Sequence, residues 1–340
     1  MDVYMLDVFF PAIVAEHLVD LTPFIDQAFL DQYYPALIEA NTVGGQLLAL
    51  PWFAGAGMLY YRTDLLEKYG YDAPPATWAE LTEMAQAIQD GERAEGNPDF
   101  WGFVWQGNAY EGLTCDALEW QKSFGGGVII NPDGVIEVNN PETIEAFDLA
   151  ASWVGTITPE AVLSYQEEDA RAVWHAGNAA FMRNWGYAYT LSQADDSAVA
   201  GNFSVVPLPG SEPGMGAATL GGWQLGVTKY SSNIDAAVAF VKWMVSDDQL
   251  KQYHFLRGEQ PVMPALYQDA ELVEALPYLA DMGNILNFAT ARPAVAGAQY
   301  NDVSQLYYTA VHSILEGQAD AATAMADLEL TLADLGFELP

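Results

Sequence analysis

The sequence predicts an α/β protein folded as two lobes, and three observations lead there. Strand-like and helix-like runs alternate along nearly the whole chain, without internal repeats or low-complexity tracts. At 340 residues the chain is longer than one ordinary hydrophobic core supports, and its 51% apolar content can fill two. Small-residue and Gly/Pro-containing stretches at 54–57, 211–220 and 284–293 then offer places for the chain to cross between lobes.

Residues 3–8 read as a buried strand with Asp7 near its C-terminal end, where open α/β sheets usually place ligand-contacting groups. A carboxylate capping the next helix is the other reading. Residues 12–18 and 29–40 read as helices. Gly44 and Gly45 then turn the chain into the apolar stretch 47–61. Pro51 and Gly55 to Gly57 interrupt that stretch, so it reads as two buried strands around a turn and not as a membrane span. A short helix from Asp64 stops at Gly70. Thr77 and Glu80 form a capping box, with Trp78, Leu81, Met84, Ala85 and Ile88 on the inner face of the helix that follows.

Residues 101–106 read as a strand, and the next helix carries Leu118, Trp120 and Phe124. Gly125 to Gly127 reads as a turn before a strand at 128–130. It is not a phosphate cradle, because neither a helix N-terminus nor a Lys-Ser/Thr pair follows. Asn140 and Pro141 open a helix with Ile144, Phe147 and Val154 inward. Residues 234–245, 303–315 and 321–335 are amphipathic helices, with Gly317 between the last two.

Composition removes several function classes. Eleven Lys+Arg against 46 Asp+Glu give a formal charge of −35, a field that repels phosphate backbones and anionic lipid heads. No nucleic-acid or membrane-surface partner is expected, and the surface suits high salt. A single cysteine, Cys115, rules out an internal disulfide, and nothing in the sequence supplies it with a thiolate-stabilising base. His17, His175, His254 and His312 are scattered, so no metal site is expected. The chain has no nucleophile elbow, dinucleotide fingerprint or calcium loop.

What remains is aromatic. A helical run ends at Gly177, a left-handed cap, and a strand over 179–182 leads directly into Asn184, Trp185, Tyr187 and Tyr189. A flat ring at a strand end offers a stacking surface at low entropic cost; a tryptophan that plugs a core has the same local sequence. Gly221-Gly222-Trp223, followed by a strand at 224–228, is a second such site and favours stacking.

Several segments carry a family resemblance: Asp2-Val-Tyr-Met-Leu-Asp7, Leu50-Pro-Trp-Phe53, Gly57 through Gly70, Pro75-Ala-Thr-Trp-Ala-Glu-Leu81, Trp101 to Gly107 with Tyr110-Glu-Gly-Leu113, Phe181-Met-Arg-Asn-Trp185, Leu220-Gly-Gly-Trp223 and Ala291-Arg-Pro293. In that order they resemble the extracellular solute-binding proteins of sugar ABC importers, most of all the branch for trehalose, maltose and related α-glucosides. The resemblance implies a periplasmic-binding-protein-like (type II) fold, two α/β lobes with a ligand cleft and three hinge crossings. Residues 1–54 and 222–285 would form the N-terminal lobe, lacking the family's opening strand, helix and strand. Residues 55–221 and 286–340 would form the C-terminal lobe.

Site roles follow from the same resemblance. Asp7 would accept hydrogen bonds from sugar hydroxyls. Trp185 and Trp223 would stack on sugar rings, with Tyr187 beside them. The backbone at Gly221 and Gly222 would approach the ligand, and Arg292 would donate a forked hydrogen bond. Gln106 and Glu111 are weaker carry-overs, and the other reading of Glu111 places it behind the contacting residues. Such a protein is not an enzyme, needs no cofactor, and works as an extracytoplasmic monomer with a sugar and transmembrane permease subunits as partners. Met1 is followed at once by residues that read as a strand, so no signal segment is expected within this chain. Gly55 stands where the trehalose-binding branch usually has an acidic residue, so a different disaccharide, glycoside or compatible solute would also suit. Two other readings stay open: a glycoside-active enzyme using Glu111 with Asp7, and a binder of a small non-sugar solute such as a cation held by aromatic rings.

Overall fold

The computed structural model describes residues 1–282, 286 and 289–340. The chain divides into two units, Met1–Ala56 with Leu220–Asn287 and Gly57–Thr219 with Phe288–Pro340, and so passes between them three times. The third expected crossing, 284–293 with its boundary between 285 and 286, lies in part outside the described residues.

The first unit is organised on the strand Ala218–Val227, with Val3–Asp7 and Ala49–Ala56 paired antiparallel to it. Side-chain alternation gives this sheet a core on each face. Leu50, Leu225 and Val227 pack with Val238 and Val241 of the helix Ile234–Met244, whereas Leu6 and Ala49 pack with Leu18 and Leu48. The first strand is less buried than expected: Tyr4 and Met5 are exposed. Among the described residues Val3–Asp7 pairs only with Ala218–Val227 and is an edge strand.

The single helix expected over 29–40 is two short ones, Gln27–Leu30 and Pro35–Ala40. Proline has no N–H to continue a helix but fits its first turn, so Pro35 starts a new one. Residues 12–18 likewise divide into Phe10–Ile13 and a 3₁₀ turn at Ala15–His17. Gly44 and Gly45, with φ of +59° and +81°, make the tight hairpin between Thr42–Val43 and Gln46–Leu47.

The stretch 47–61 does contain two strands, Ala49–Ala56 and Met58–Arg62, but no turn folds one onto the other. Only Gly57 separates them, too little for a hairpin. Each joins a different sheet: Ala49–Ala56 pairs with Ala218–Val227, and Met58–Arg62 with Ala179–Asn184 and Phe203–Pro207.

The second unit holds a four-stranded sheet in the order Trp101–Val104, Ala179–Asn184, Met58–Arg62, Phe203–Pro207; its first pair is parallel and the others antiparallel. Helices cover it. Thr77 and Glu80 make the capping box at the start of Trp78–Ala94, and Trp78, Leu81, Met84, Ala85 and Ile88 are all buried. Trp78, Trp105, Trp153 and Trp174 are fully buried, and each donates its indole N–H to a hydroxyl. These tryptophans are core.

The strand expected at 128–130 reduces to one bridge between Ile130 and Ile136. Side chains take the backbone groups that a ladder needs: Gln121 donates to the Val128 carbonyl and Glu137 accepts the Val128 N–H. In the helix Pro141–Trp153, capped by Asn140, Phe147 is buried but Ile144 is only partly so, and Val154 lies past the end. No helix of the described residues is long and apolar enough to cross a membrane.

Candidate functional site

In the first unit, four candidates sit on one sheet. The antiparallel register places Asp7 opposite Trp223, and Trp223 opposite Phe53 on the other flank. Directly paired residues project on the same side, so Asp7, Trp223 and Phe53 form one row across three strands. The preceding row on this side, Met5, Leu225 and Leu50, lies two residues away on the first two strands and three on the third, where a bulge falls between Pro51 and Phe53; it supplies core residues at Leu225 and Leu50. At Asp7 and Trp223 the row becomes only partly buried. Phe53 stacks on Tyr253, with ring centroids 5.3 Å apart, and Trp52 packs on the same tyrosine at 4.8 Å.

Gly221 pairs with Gly55 and Gly222 with Ala54. Gly222 has φ +114°, and a Cβ there would lie 2.4 Å from the Phe53 carbonyl oxygen, so only glycine fits this close crossing of backbones. Its close neighbour is therefore the adjacent strand, at Phe53 and Ala54. Phe53 is the residue that motif reading missed here; its register with Trp223 needed the strand pairing.

In the second unit, Trp185 follows the strand Ala179–Asn184 and is partly buried, unlike the four core tryptophans. Its setting is fixed on several sides. The Arg183 guanidinium lies 4.0 Å from the ring centroid, the indole N–H donates to Glu167 at 3.3 Å, and the Trp185 carbonyl accepts from the Tyr60 hydroxyl at 2.6 Å. Glu167 also accepts from the Tyr110 hydroxyl at 2.7 Å, so one carboxylate holds the polar ends of two aromatics. Tyr187 opens the short helix Tyr187–Ser192, and its hydroxyl donates to Glu168 at 2.7 Å. Burial first, and the neighbouring Glu168 next, push the Tyr187 phenol above its usual range.

Arg292 is buried and donates from Nη1 to Glu111 Oε1 at 2.7 Å. Tyr300 donates to the same oxygen and Ser304 to the other. Glu111 begins the helix Glu111–Ser123, where a carboxylate also suits the helix dipole. A carboxylate engaged by three donors is built to hold Arg292 in place. This argues against the reading of Glu111 as a glycosidic acid.

Gln106 departs from the expectation. It is fully buried, its amide donates to the Arg183 carbonyl, and its oxygen accepts from Arg183 Nη1, both at 3.0 Å. With both ends engaged inside the unit, it supports Arg183 and offers nothing to a ligand. Burial also pushes the Cys115 thiol well above its ordinary range, which leaves a poor nucleophile. Among the described residues no group of His, Cys, Asp and Glu is arranged to hold a metal ion.

Two α/β units linked by three passages of the chain, each with a partly buried tryptophan, are the architecture of a solute-binding protein. The chain belongs to the bacterial extracellular solute-binding proteins, the family that residues 2–251 match. A probable ABC transporter-binding protein from Deinococcus radiodurans is 48% identical over 333 residues, which is 98% of this chain and 79% of that protein. The solved structure of maltose-bound T. maritima MalE3 superposes with a TM-score of 0.92 at 41% identity, covering 98% of this chain and 84% of that one. A ribitol complex of an ABC transporter solute-binding protein from Agrobacterium radiobacter K84 shares the fold, with a TM-score of 0.86 at 22% identity and coverage of 98% and 84%. The fold is thus that of type II periplasmic sugar-binding proteins, and the family is one of transport receptors, not enzymes.

Proposed function

We propose that this protein captures a neutral sugar outside the cytoplasm and delivers it, as a monomer, to the membrane subunits of an ABC importer. The observation that carries the reading is the setting of Trp185: a partly exposed indole, backed by a guanidinium and pinned at its edge by a carboxylate. Sugars present an apolar face and a rim of hydroxyls. A rigid ring answers the first and charged planar groups the second, each charge-assisted hydrogen bond contributing about 1.5–3 kcal/mol.

Asp7 and Trp223 in the first unit, with Trp185, Tyr187 and Arg292 in the second, are the ligand-contacting residues in this reading. Gly221 and Gly222 supply backbone approach. Glu111 acts through Arg292. A di- or oligosaccharide of the maltose or trehalose type is the favoured ligand, a reading supported by the 41% identity to a protein solved with maltose. The mannitol-binding protein of Pseudomonas aeruginosa, 26% identical over 261 residues, makes a polyol the next class to try.

Calorimetric titration with maltose, trehalose and mannitol tests the proposal. Saturable binding of at least one, lost in Trp185→Ala and in Trp223→Ala, is expected. A folded protein indifferent to the whole set would end it.

A further inference from the structure

Arg183 is a deeply buried cation of the second unit that the reading above uses only as the backing of Trp185. Its side chain is 2% exposed. It donates two hydrogen bonds to Glu119, from Nε at 2.8 Å and Nη2 at 2.6 Å, a third to Gln106, and lies 3.0 Å from Asp116 Oδ1. Asp116 accepts the Gln106 N–H, and Glu119 accepts the Thr219 N–H, both at 3.0 Å. One guanidinium thus faces two buried carboxyls. Burial pushes the Asp116 carboxyl well above the usual range, with Arg183 opposing.

So costly an arrangement is hard to justify by stability alone, since a buried ion pair seldom outperforms apolar packing. Its output is geometric. The planar fork is bonded by Glu119 and Gln106, and its central carbon lies over the Trp185 ring, 4.0 Å from the centroid. A lysine ammonium has neither the plane nor the fork.

We propose that Arg183 is the positioning residue of the Trp185 stacking surface. Held by Glu119, Asp116 and Gln106, it closes one face of the indole and leaves the other for a single sugar ring. The inference rests on the proposed sugar binding for its affinity readout, but not for its spectroscopic one.

The test uses the full chain in which the ten tryptophans carry 5-fluorotryptophan. Trp185→Phe assigns the Trp185 fluorine resonance. Without any sugar, Arg183→Lys should shift or broaden that resonance while those of Trp78 and Trp153 stay in place. In the affinity arm, Arg183→Lys should weaken maltose binding by about tenfold, within the range spanned by exposed and desolvated cation–π contacts. In a Trp185→Leu background the same substitution should change affinity by less than about twofold, because a residue acting through Trp185 has nothing left to act on.

Equal loss of affinity in both backgrounds, or an unmoved Trp185 resonance in a folded Arg183→Lys protein, overturns the proposal. If Arg183→Lys fails to fold, Gln106→Leu removes one bond from the fork and should move the Trp185 resonance in the same way; no movement there refutes it equally. If no sugar binds, the proposed function fails while the fluorine spectrum still decides the role of Arg183.

Discussion

Asp7 and Trp223 are register partners on adjacent antiparallel strands, so a carboxylate and an indole stand side by side on one face of the first unit's sheet. A sugar ring stacked on Trp223 would bring its hydroxyl rim toward Asp7. Trp223→Ala should therefore weaken sugar binding more than Asp7→Asn, the first by at least about tenfold and the second by about three- to tenfold, because asparagine keeps a hydrogen bond and loses only its charge assistance, about 1 kcal/mol. The double variant should lose less than the sum, because the two residues act on the same ring. Calorimetry on the three proteins reads both effects, and strict additivity would place the residues on separate functions.

The Glu111 carboxylate accepts from Arg292, Tyr300 and Ser304. Removing it leaves a guanidinium whose side chain is 2% exposed without this partner, although Glu111 itself is 35% exposed and partly screened by solvent. Glu111→Ala is expected to lower unfolding free energy by about 2 kcal/mol, within the range for hydrogen bonds to charged groups. Urea denaturation measures it. Affinity should fall with stability, since Arg292 loses its fixed direction; full affinity in a destabilised protein would show that Arg292 needs no guide.

The sequence carried much of the element order, but not the partnerships. Capping at Thr77 and the glycine stop at Gly70 are local, set by a few consecutive residues, and the structure reproduces both. The break at Pro35 was equally local and should have been legible. By contrast, Phe53 joins Trp223 only through strand register, and Glu111 joins Arg292 across 181 residues of chain. Gln106 read as a polar residue at a strand end; only the position of Arg183, 77 residues later, shows that its amide is consumed inside the unit. Arg183 itself had a signal, since it stands two residues before Trp185, the spacing that puts strand side chains on one face.

His254, in the helix Asp247–Arg257, is fully buried, and burial lowers its pKa from 6.5 to about 3. The unfolded chain therefore binds a proton below pH 6.5 that the folded protein refuses. Stability contributed by the neutral ring is complete above that pH and is lost as pH falls from 6.5 toward about 3. The slope reaches at most about 1.4 kcal/mol per pH unit. Urea unfolding between pH 7 and 5 should show stability falling with acidity, and His254→Gln should flatten the curve. Parallel curves for the two proteins would show that the histidine is protonated in the fold.

Gly57 is the first residue of the second unit, and a Cβ there would lie 2.1 Å from Glu119 Oε1 and 2.7 Å from Arg183 Nη2. Both atoms belong to the buried ion cluster, and Glu119 Oε1 also accepts the N–H of Thr219, the residue at which the chain leaves the same unit. A methyl group at 57 must therefore displace a charge that has no solvent to retreat into. Gly57→Ala should destabilise by about 1–3 kcal/mol, as overpacking of a filled interior does. It should also disturb Trp185 through Arg183, weakening sugar binding even though residue 57 is not proposed to touch the ligand. Thermal unfolding and calorimetry on the one variant separate the two effects. A destabilised protein with unchanged affinity would mean that the cluster yields at Glu119 and leaves the guanidinium seated on Trp185.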